Sequence, residues 1–420
     1  MALRAALSLV PLVTLAVSCT LTTSLDGLSS SSPDDAPNAG EGECGPGGGA
    51  CDAAKECPPS WLLCGGACVD PTTDPKHCGG CEQACASTCS GGTCAAAGPP
   101  ATLVQTPPVT VSGGASCTIT DPAVGRRVAV DAGNYLYVLM DCGGTANVAT
   151  SADGGKSWGA PVPLDAPVGL LAVQGAASGV AYVAAWSAAR GIIVSKTSDA
   201  GKSWSSTRIA DVADNWIGLA ASGDQVYVAA RAGMGVDVFR STGGTSFAKT
   251  TIAGAVQYGD VFVDPADASV WVGGDTPSLV IHRSTDGAQT FGPPSSPPGT
   301  LRFSDWSVGG GAIFAAGQET TMRRIPTATP GTSTAIGGLP TGPNRGRSLA
   351  AAPGGAVFIA TETTTSGVTL HRIAPGAMSL EPERALAPAG KAPAVVAASD
   401  SIVFVAYAEG TSVMGTVQQF

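Results

Sequence analysis

Thirteen cysteines are the residues of this 420-residue sequence whose type and spacing indicate chemistry most directly. Ten of them fall between Cys44 and Cys94, in a segment too short for a large core and therefore dependent on cross-links. Cys78 and Cys81 have the spacing of two zinc ligands, so a zinc site is the competing interpretation. An even number of cysteines in an exported chain favours oxidation instead. We therefore expect a disulfide-rich module over residues 44–94, with no metal and no cofactor.

The N-terminus has the composition of a signal peptide over residues 1–18. Arg4 gives a positive charge, and the apolar run that follows is too short to span a membrane as a mature helix. Ala16-Val17-Ser18-Cys19 resembles a bacterial lipobox, which implies that Cys19 becomes the lipidated first residue. Ala16 stands where that pattern has Leu, and cleavage by ordinary signal peptidase remains the alternative.

Cysteine parity favours the lipidated form. If Cys19 carries lipid, 12 cysteines remain and all can pair, whereas an unmodified Cys19 leaves an odd thiol. Thr20, rather than Asp, follows the cysteine, which in lipoproteins of Gram-negative type implies the outer membrane or cell surface. Residues 19–43 would be a flexible tether, since they are rich in Ser, Asp, Pro and Gly. The membrane is thus one expected partner, through the lipid.

Composition excludes some classes of function. The net charge is −10, and the sequence has no basic patch of the kind that binds nucleic acid. Only 13 % of residues are charged, while Gly and Pro number 57 and 31. This turn-rich, weakly charged composition is typical of an exported all-β protein.

A repeat of about 44 residues begins near Ala101. Short β-branched or aromatic runs recur, and one aromatic marks the same place in each unit: Tyr137, Tyr182, Tyr227, Trp271, Phe314, Phe358 and Phe404. A β-sandwich would give similar strands but no constant period. The repeat predicts a seven-bladed β-propeller over residues 101–420, with four strands in each blade. Leu103–Val111 would supply the last strand of the seventh blade and so close the ring.

A turn motif recurs after the predicted third strands. Two copies match Ser/Thr-x-Asp-x-Gly-x-Ser/Thr-Trp, and a third lacks the Gly: Ser151, Asp153, Gly155 and Trp158; Thr197, Asp199, Gly201 and Trp204; Ser284, Asp286 and Phe291. The Asp and Ser side chains would bond backbone N–H groups, and the aromatic would fill the space between sheets. These turns resemble the Asp boxes of the BNR, sialidase-like propeller families. The resemblance implies a structural role, away from the active-site face.

One face of such a propeller collects the loops that lead into each blade and the loops between second and third strands. Cys117 and Cys142 both fall on this face, so we expect a disulfide between them. Aromatic and basic side chains there are candidates to bind carbohydrate or protein: Arg190, Arg231, Trp216, Tyr258, Arg302, Trp306 and Arg345. Asp214, Asp260 and Asp305 recur before successive first strands, which favours a structural role for them.

The favoured function is therefore a surface-tethered, non-catalytic binding or scaffolding propeller whose ligand the sequence does not identify. The alternative is an exo-glycosidase of sialidase-like type, and a solenoid-like structural spacer with no ligand is a third class. Arg324-Ile325-Pro326 lacks the aromatic residue that precedes this motif in sialidases, and it lies in the fifth unit rather than the first. No residue is predicted to be catalytic.

Overall fold

The computed structural model describes most of the chain from Cys57 onward. The described residues, all within one unit spanning Lys55–Phe420, are 57–74, 76–81, 89–90, 93–94, 102–119, 126–167, 169–211, 216–233, 235–254, 258–275, 279–298, 303–317, 321–339, 347–363 and 366–420. The predicted signal peptide, Cys19 and the predicted tether lie outside them. Within these ranges no helix is long and apolar enough to cross a membrane.

The cysteine-rich module contains two short antiparallel hairpins. Its strands are β1 (Leu62–Cys64), β2 (Ala67–Val69), β3 (Cys89–Ser90) and β4 (Thr93–Cys94). Three disulfides join Cys57 to Cys68, Cys64 to Cys81 and Cys78 to Cys89. The two cysteines with zinc-ligand spacing, Cys78 and Cys81, are thus oxidised with different partners, which removes the zinc alternative. Cys44, Cys51 and Cys85 lie outside the described residues.

The remaining strands form seven antiparallel sheets, which are the predicted blades. After β5 (Val109–Thr110), blades 1 to 3 are β6 (Val128–Val130), β7 (Leu136–Cys142), β8 (Thr145–Ser151) and β9 (Val162–Pro167); β10 (Leu170–Gly175), β11 (Ala181–Ser187), β12 (Gly191–Thr197) and β13 (Ser205–Ala210); β14 (Ile217–Ser222), β15 (Gln225–Ala232), β16 (Gly235–Thr242) and β17 (Ala248–Ile252).

Blades 4 to 7 continue in the same order. They are β18 (Tyr258–Val263), β19 (Val270–Asp275) and β20 (Leu279–Ser284); β21 (Phe303–Gly309), β22 (Ala312–Gly317), β23 (Met322–Pro326) and β24 (Thr334–Ile336); β25 (Arg347–Ala351), β26 (Val357–Thr363), β27 (Gly367–Ile373) and β28 (Arg384–Ala387); β29 (Lys391–Ser399), β30 (Ile402–Glu409) and β31 (Ser412–Gln419), with β5 as the fourth strand.

The seven marker aromatics all lie in second strands and are buried between neighbouring blades. Second strands are apolar on both faces because sheets pack on either side, as the five buried residues in a row of β7 illustrate. Each blade therefore buries its faces only by stacking on its neighbours, which explains the constant repeat length.

Ring closure follows the predicted route. β5 pairs with β31, and the N–H groups of Thr106 and Val111 donate to the carbonyls of Val417 and Val413 at 3.0 and 2.8 Å. The structure also contains a disulfide between Cys117 and Cys142, which links the closing segment to the second strand of blade 1. The segment that leads into blade 1 thus completes blade 7 by backbone pairing, and the disulfide fixes this segment covalently to blade 1.

Blade 4 departs from the expectation of four strands. Its sheet has three, and the place of the fourth is taken by a segment in which only Ser295 forms an isolated bridge, to Ile281. Prolines surround Ser295 on both sides, at 293–294 and 297–298. Proline has no N–H to donate, so this segment covers the edge of β20 without forming a regular strand.

The Asp153 turn (residues 151–158) has the hydrogen bonds that its residue types predict. Ser151 Oγ accepts from the N–H of Gly155 at 2.8 Å, and Asp153 Oδ1 accepts from the N–H of Ser157 at 2.9 Å. The corresponding bonds recur around Asp199 and Asp286. Gly155 has φ +86°, and Ala288 occupies the equivalent position of the Asp286 turn with φ +63°. That position requires a left-handed backbone, which explains the glycines of the complete copies.

Candidate functional site

Two of the predicted binding-face residues are buried, which corrects that expectation. Trp216 is 3 % exposed and packs in the core shared by blades 3 and 4. Trp306 is fully buried, and its ring lies edge-on to Phe262 with centroids 4.6 Å apart. Both residues stand in or beside innermost strands, where alternate side chains point between blades rather than outward. Spacing alone could not reveal which side each strand position faces.

The predicted arginines lie in separate local contacts. Arg190 forms an ion pair with Asp165 of blade 1 at 2.9 Å, and its carbonyl accepts a hydrogen bond from Arg208. Arg231 donates from Nε to the carbonyl of Gly233 at 3.1 Å. Arg302 and Arg345 lie outside the described residues, as does the side chain of Tyr258, whose backbone begins β18. The described arginines of this face therefore do not form a cluster.

A different site lies on the propeller axis, in a region where no sequence motif predicted one. The innermost strands enclose a cavity of about 240 Å³ near their carboxyl ends and the turns that follow. Its walls are mostly small or apolar: Val130, Ala220, Ala221, Phe262, Val263, Pro265, Val308, Ala350, Ala351, Pro353, Val396 and Ala397. The polar lining residues are Arg126, Gln174, Ser222 and Ser307. We call this space the axial cavity.

Arg126 lies across the axis of the ring. It precedes the first strand of blade 1, yet its Nη2 donates to the carbonyl of Val261 in blade 4 at 2.7 Å and lies 3.3 Å from Asp260 Oδ2. Its Nη1 donates to Gln174 Oε1 in blade 2 at 2.6 Å. The guanidinium also lies over the ring of Phe262, 4.0 Å from the centroid. These contacts fix one positive charge beside the cavity.

The two recurring acids that the structure describes, Asp260 and Asp305, lie beside Arg126 and bond to backbone. Asp305 Oδ2 accepts from the N–H of Leu349 in blade 6 at 2.6 Å. Asp260 Oδ1 accepts from the N–H of Val261 at 2.7 Å. Burial raises the pKa of Asp260, and it raises the pKa of Asp305 to about 8. Asp305 is therefore mainly protonated at neutral pH, and its bond to Leu349 connects the innermost strands of blades 5 and 6.

Other titratable groups are engaged away from the axis. His282 Nδ1 lies 3.3 Å from the carbonyl of Gly292, and His371 lies 3.8 Å from Glu383. Burial lowers the pKa of both imidazoles. Among the residues that the structure describes, no group of three or more His, Cys, Asp or Glu is arranged to hold a metal ion. The axial cavity is thus the described concave site that combines apolar walls with a partly buried charge.

Comparison with known proteins gives a likeness of fold. No family model and no curated protein matches the chain. Among solved structures, YCF48 bound to D1 peptide matches 77 % of this chain and 100 % of its own, with 13 % identity and a TM-score of 0.53. A chain of the mitotic checkpoint complex matches 77 % and 97 %, with 10 % identity and a TM-score of 0.51. Identities this low support the propeller fold and nothing finer.

Proposed function

We propose that this chain is an exported, non-catalytic binding or scaffolding propeller that holds a peptide segment of a protein partner. The axial cavity carries the proposal, because it offers apolar walls, two serines and one fixed charge without a nucleophile beside an acid. The small volume suits one side chain or chain end rather than a large cofactor. The rest of the partner would lie on the turns around the cavity.

A peptide ligand is favoured over a carbohydrate. Sugar sites commonly need exposed aromatic faces, and Trp216 and Trp306, the tryptophans expected to supply them, are buried. YCF48 has the same fold and has been solved with a peptide bound. That likeness supports a peptide ligand here at the level of fold. Exposed sugar-binding aromatics are absent from the described part of the axial cavity, where Phe262 is covered by Arg126.

The four described disulfides are typical of a protein outside the cytoplasm. We further propose that Cys19 carries a lipid and that residues 19–43 tether the folded part to the outer membrane or cell surface. Labelling with palmitate should mark the wild-type chain but not Cys19→Ser. Equal labelling of both, or of neither, would remove the anchor while leaving the binding function untouched.

The binding function can be tested with the full chain and its disulfides intact. Random peptides displayed on phage should yield sequences that bind the wild type with micromolar affinity, about −8 kcal/mol. Heat-unfolded chain and an unrelated disulfide-bonded protein are the controls. If selection repeatedly yields no peptide that prefers the folded chain, the proposed function is wrong.

A further inference from the structure

The geometry points to a carboxylate on a short apolar stem as the group that the axial cavity takes, and we propose Arg126 as its binding residue. This inference rests on the proposed binding function and names the chemistry of the ligand. Two sources share that chemistry: the C-terminus of a peptide and a free short-chain carboxylic acid.

The charge of the cavity lining favours an anion. Among the described residues that line the cavity, Arg126 is the one charged group, whereas Asp260 and Asp305 do not line it. Burial raises the pKa of both acids, so at neutral pH they carry at most about one negative charge against the positive charge of Arg126. An anion entering from the cavity meets the guanidinium before either acid. A cation would meet it as well and would be repelled.

The Arg126 side chain is preorganised by its contacts within the ring. Arg126 makes hydrogen bonds to Gln174, Val261 and Asp260, and its guanidinium is stacked on Phe262. A guanidinium has five N–H donors, so these three bonds leave donors for a ligand. Its side chain remains 23 % exposed. Because the group is already held, binding costs little side-chain entropy, and a charge-assisted bond to a carboxylate is among the stronger kinds.

The size and the walls of the cavity suit a short aliphatic group. About 240 Å³ is below the roughly 300–1,000 Å³ of sites for drug-sized ligands, so a group of a few carbon atoms fits. Ala221, Ala351 and Ala397 line the wall with methyl groups, which suits an aliphatic stem. Ser307 Oγ accepts from the N–H of Ala351, which leaves its hydroxyl hydrogen to donate to an anion.

The test compares acids with their amides. Calorimetric titration of the full chain at neutral pH would use 4-methylpentanoate and N-acetyl-Ala-Ala-Leu, each as free acid and as amide. We expect at least one acid to bind at least about tenfold more tightly than its amide. Binding by the peptide acid alone identifies a C-terminus, and binding by the small acid alone identifies a free carboxylate. Equal affinity for acid and amide, or no binding of either acid at about 10 mM, would overturn the inference.

Variants then assign the binding to this site. Arg126→Gln should abolish the preference for acid over amide, whereas Arg231→Gln, an equal change of charge near the end of β15 and outside the cavity lining, should not. Ala221→Leu fills the cavity and should abolish acid binding while every hydrogen bond of Arg126 is kept. Its control is Ala188→Leu, which adds the same side chain on an exposed turn of blade 2. Acid binding that survives Ala221→Leu would place the site elsewhere. If phage-selected peptides bind but neither acid binds, the carboxylate inference is wrong. The proposed binding function would still stand.

Discussion

Trp158 of blade 1 packs against Phe404 of blade 7, with ring centroids 5.4 Å apart and planes inclined by 37°. Trp158 ends the Asp153 turn, and Phe404 is the marker aromatic of the last second strand. The contact therefore joins the first and last blades, next to the pairing of β5 with β31. Trp204 ends the Asp199 turn in the same way and packs on the core between blades 1 and 2.

Trp158→Ala should destabilise the propeller by about 3–5 kcal/mol, because it opens a cavity at the seam that closes the ring. Urea denaturation of the full chain, followed by circular dichroism, measures the change. Trp61→Ala is the matched control, since Trp61 is 42 % exposed in the cysteine-rich module. If both variants unfold at the wild-type urea concentration, Trp158 does not stabilise the seam.

Asp153→Ala should lower the free energy of unfolding by less than Trp158→Ala does, on the order of 1–3 kcal/mol, because it leaves N–H groups of the turn without their acceptor. Asp153 accepts from the backbone of Lys156 and Ser157 and from the hydroxyls of Ser151 and Ser157. Asp153→Asn keeps one acceptor oxygen and should lose less than the alanine variant. If both variants melt at the wild-type temperature, these hydrogen bonds do not contribute to stability.

The repeat was sufficient to predict the blades because each one must present an apolar second strand at the same point of its chain. The turn bonds were predictable for a similar reason, since they join residues at most four apart, such as Ser151 and Gly155. Blade 4 differs because its four prolines cannot pair. All of these features depend on local sequence.

The axial cavity was not predictable in this way. Arg126 and Asp260 are 134 residues apart, and their contact exists only after the ring has closed. Nothing local distinguishes Arg126 from Arg127, which is buried and bonds to the carbonyl of Leu171 instead. Likewise, the sequence predicts tryptophans near the loops but not that Trp216 and Trp306 face the core. The direction in which these side chains point is determined by how the blades pack in the closed ring.

The full chain is expected not to hydrolyse a fluorogenic sialoside. Such an enzyme stabilises its transition state with a cluster of arginines and a nucleophile, and the described arginines of the predicted face are held in separate contacts. Release of the fluorophore, compared with buffer and with boiled protein, is the measurement. Turnover above both, abolished by Tyr258→Phe, would contradict the non-catalytic function and favour the glycosidase.

Asp305 should make the propeller less stable as the pH rises. Burial raises the pKa of this carboxyl to about 8, against about 3.9 for an unfolded aspartate. Between these values the folded chain binds more protons than the unfolded chain, so the free energy of unfolding falls with increasing pH. The stabilising contribution of protonated Asp305 is fully present below about pH 4 and is lost as the pH passes through about 8. Asn cannot ionise, yet its side-chain oxygen still accepts from the N–H of Leu349.

Urea denaturation between about pH 5 and pH 9 should therefore separate the wild type from Asp305→Asn. The variant should lose less stability over this range, and the difference should reach on the order of a few kcal/mol by pH 9. Asp165→Asn is the control, because the Asp165 side chain is 77 % exposed and bonds only at the surface. Parallel curves for wild type and Asp305→Asn would mean that Asp305 is ionised throughout. Asp305 would then add a negative charge beside Arg126, and the preference of the axial cavity for a carboxylate would weaken accordingly.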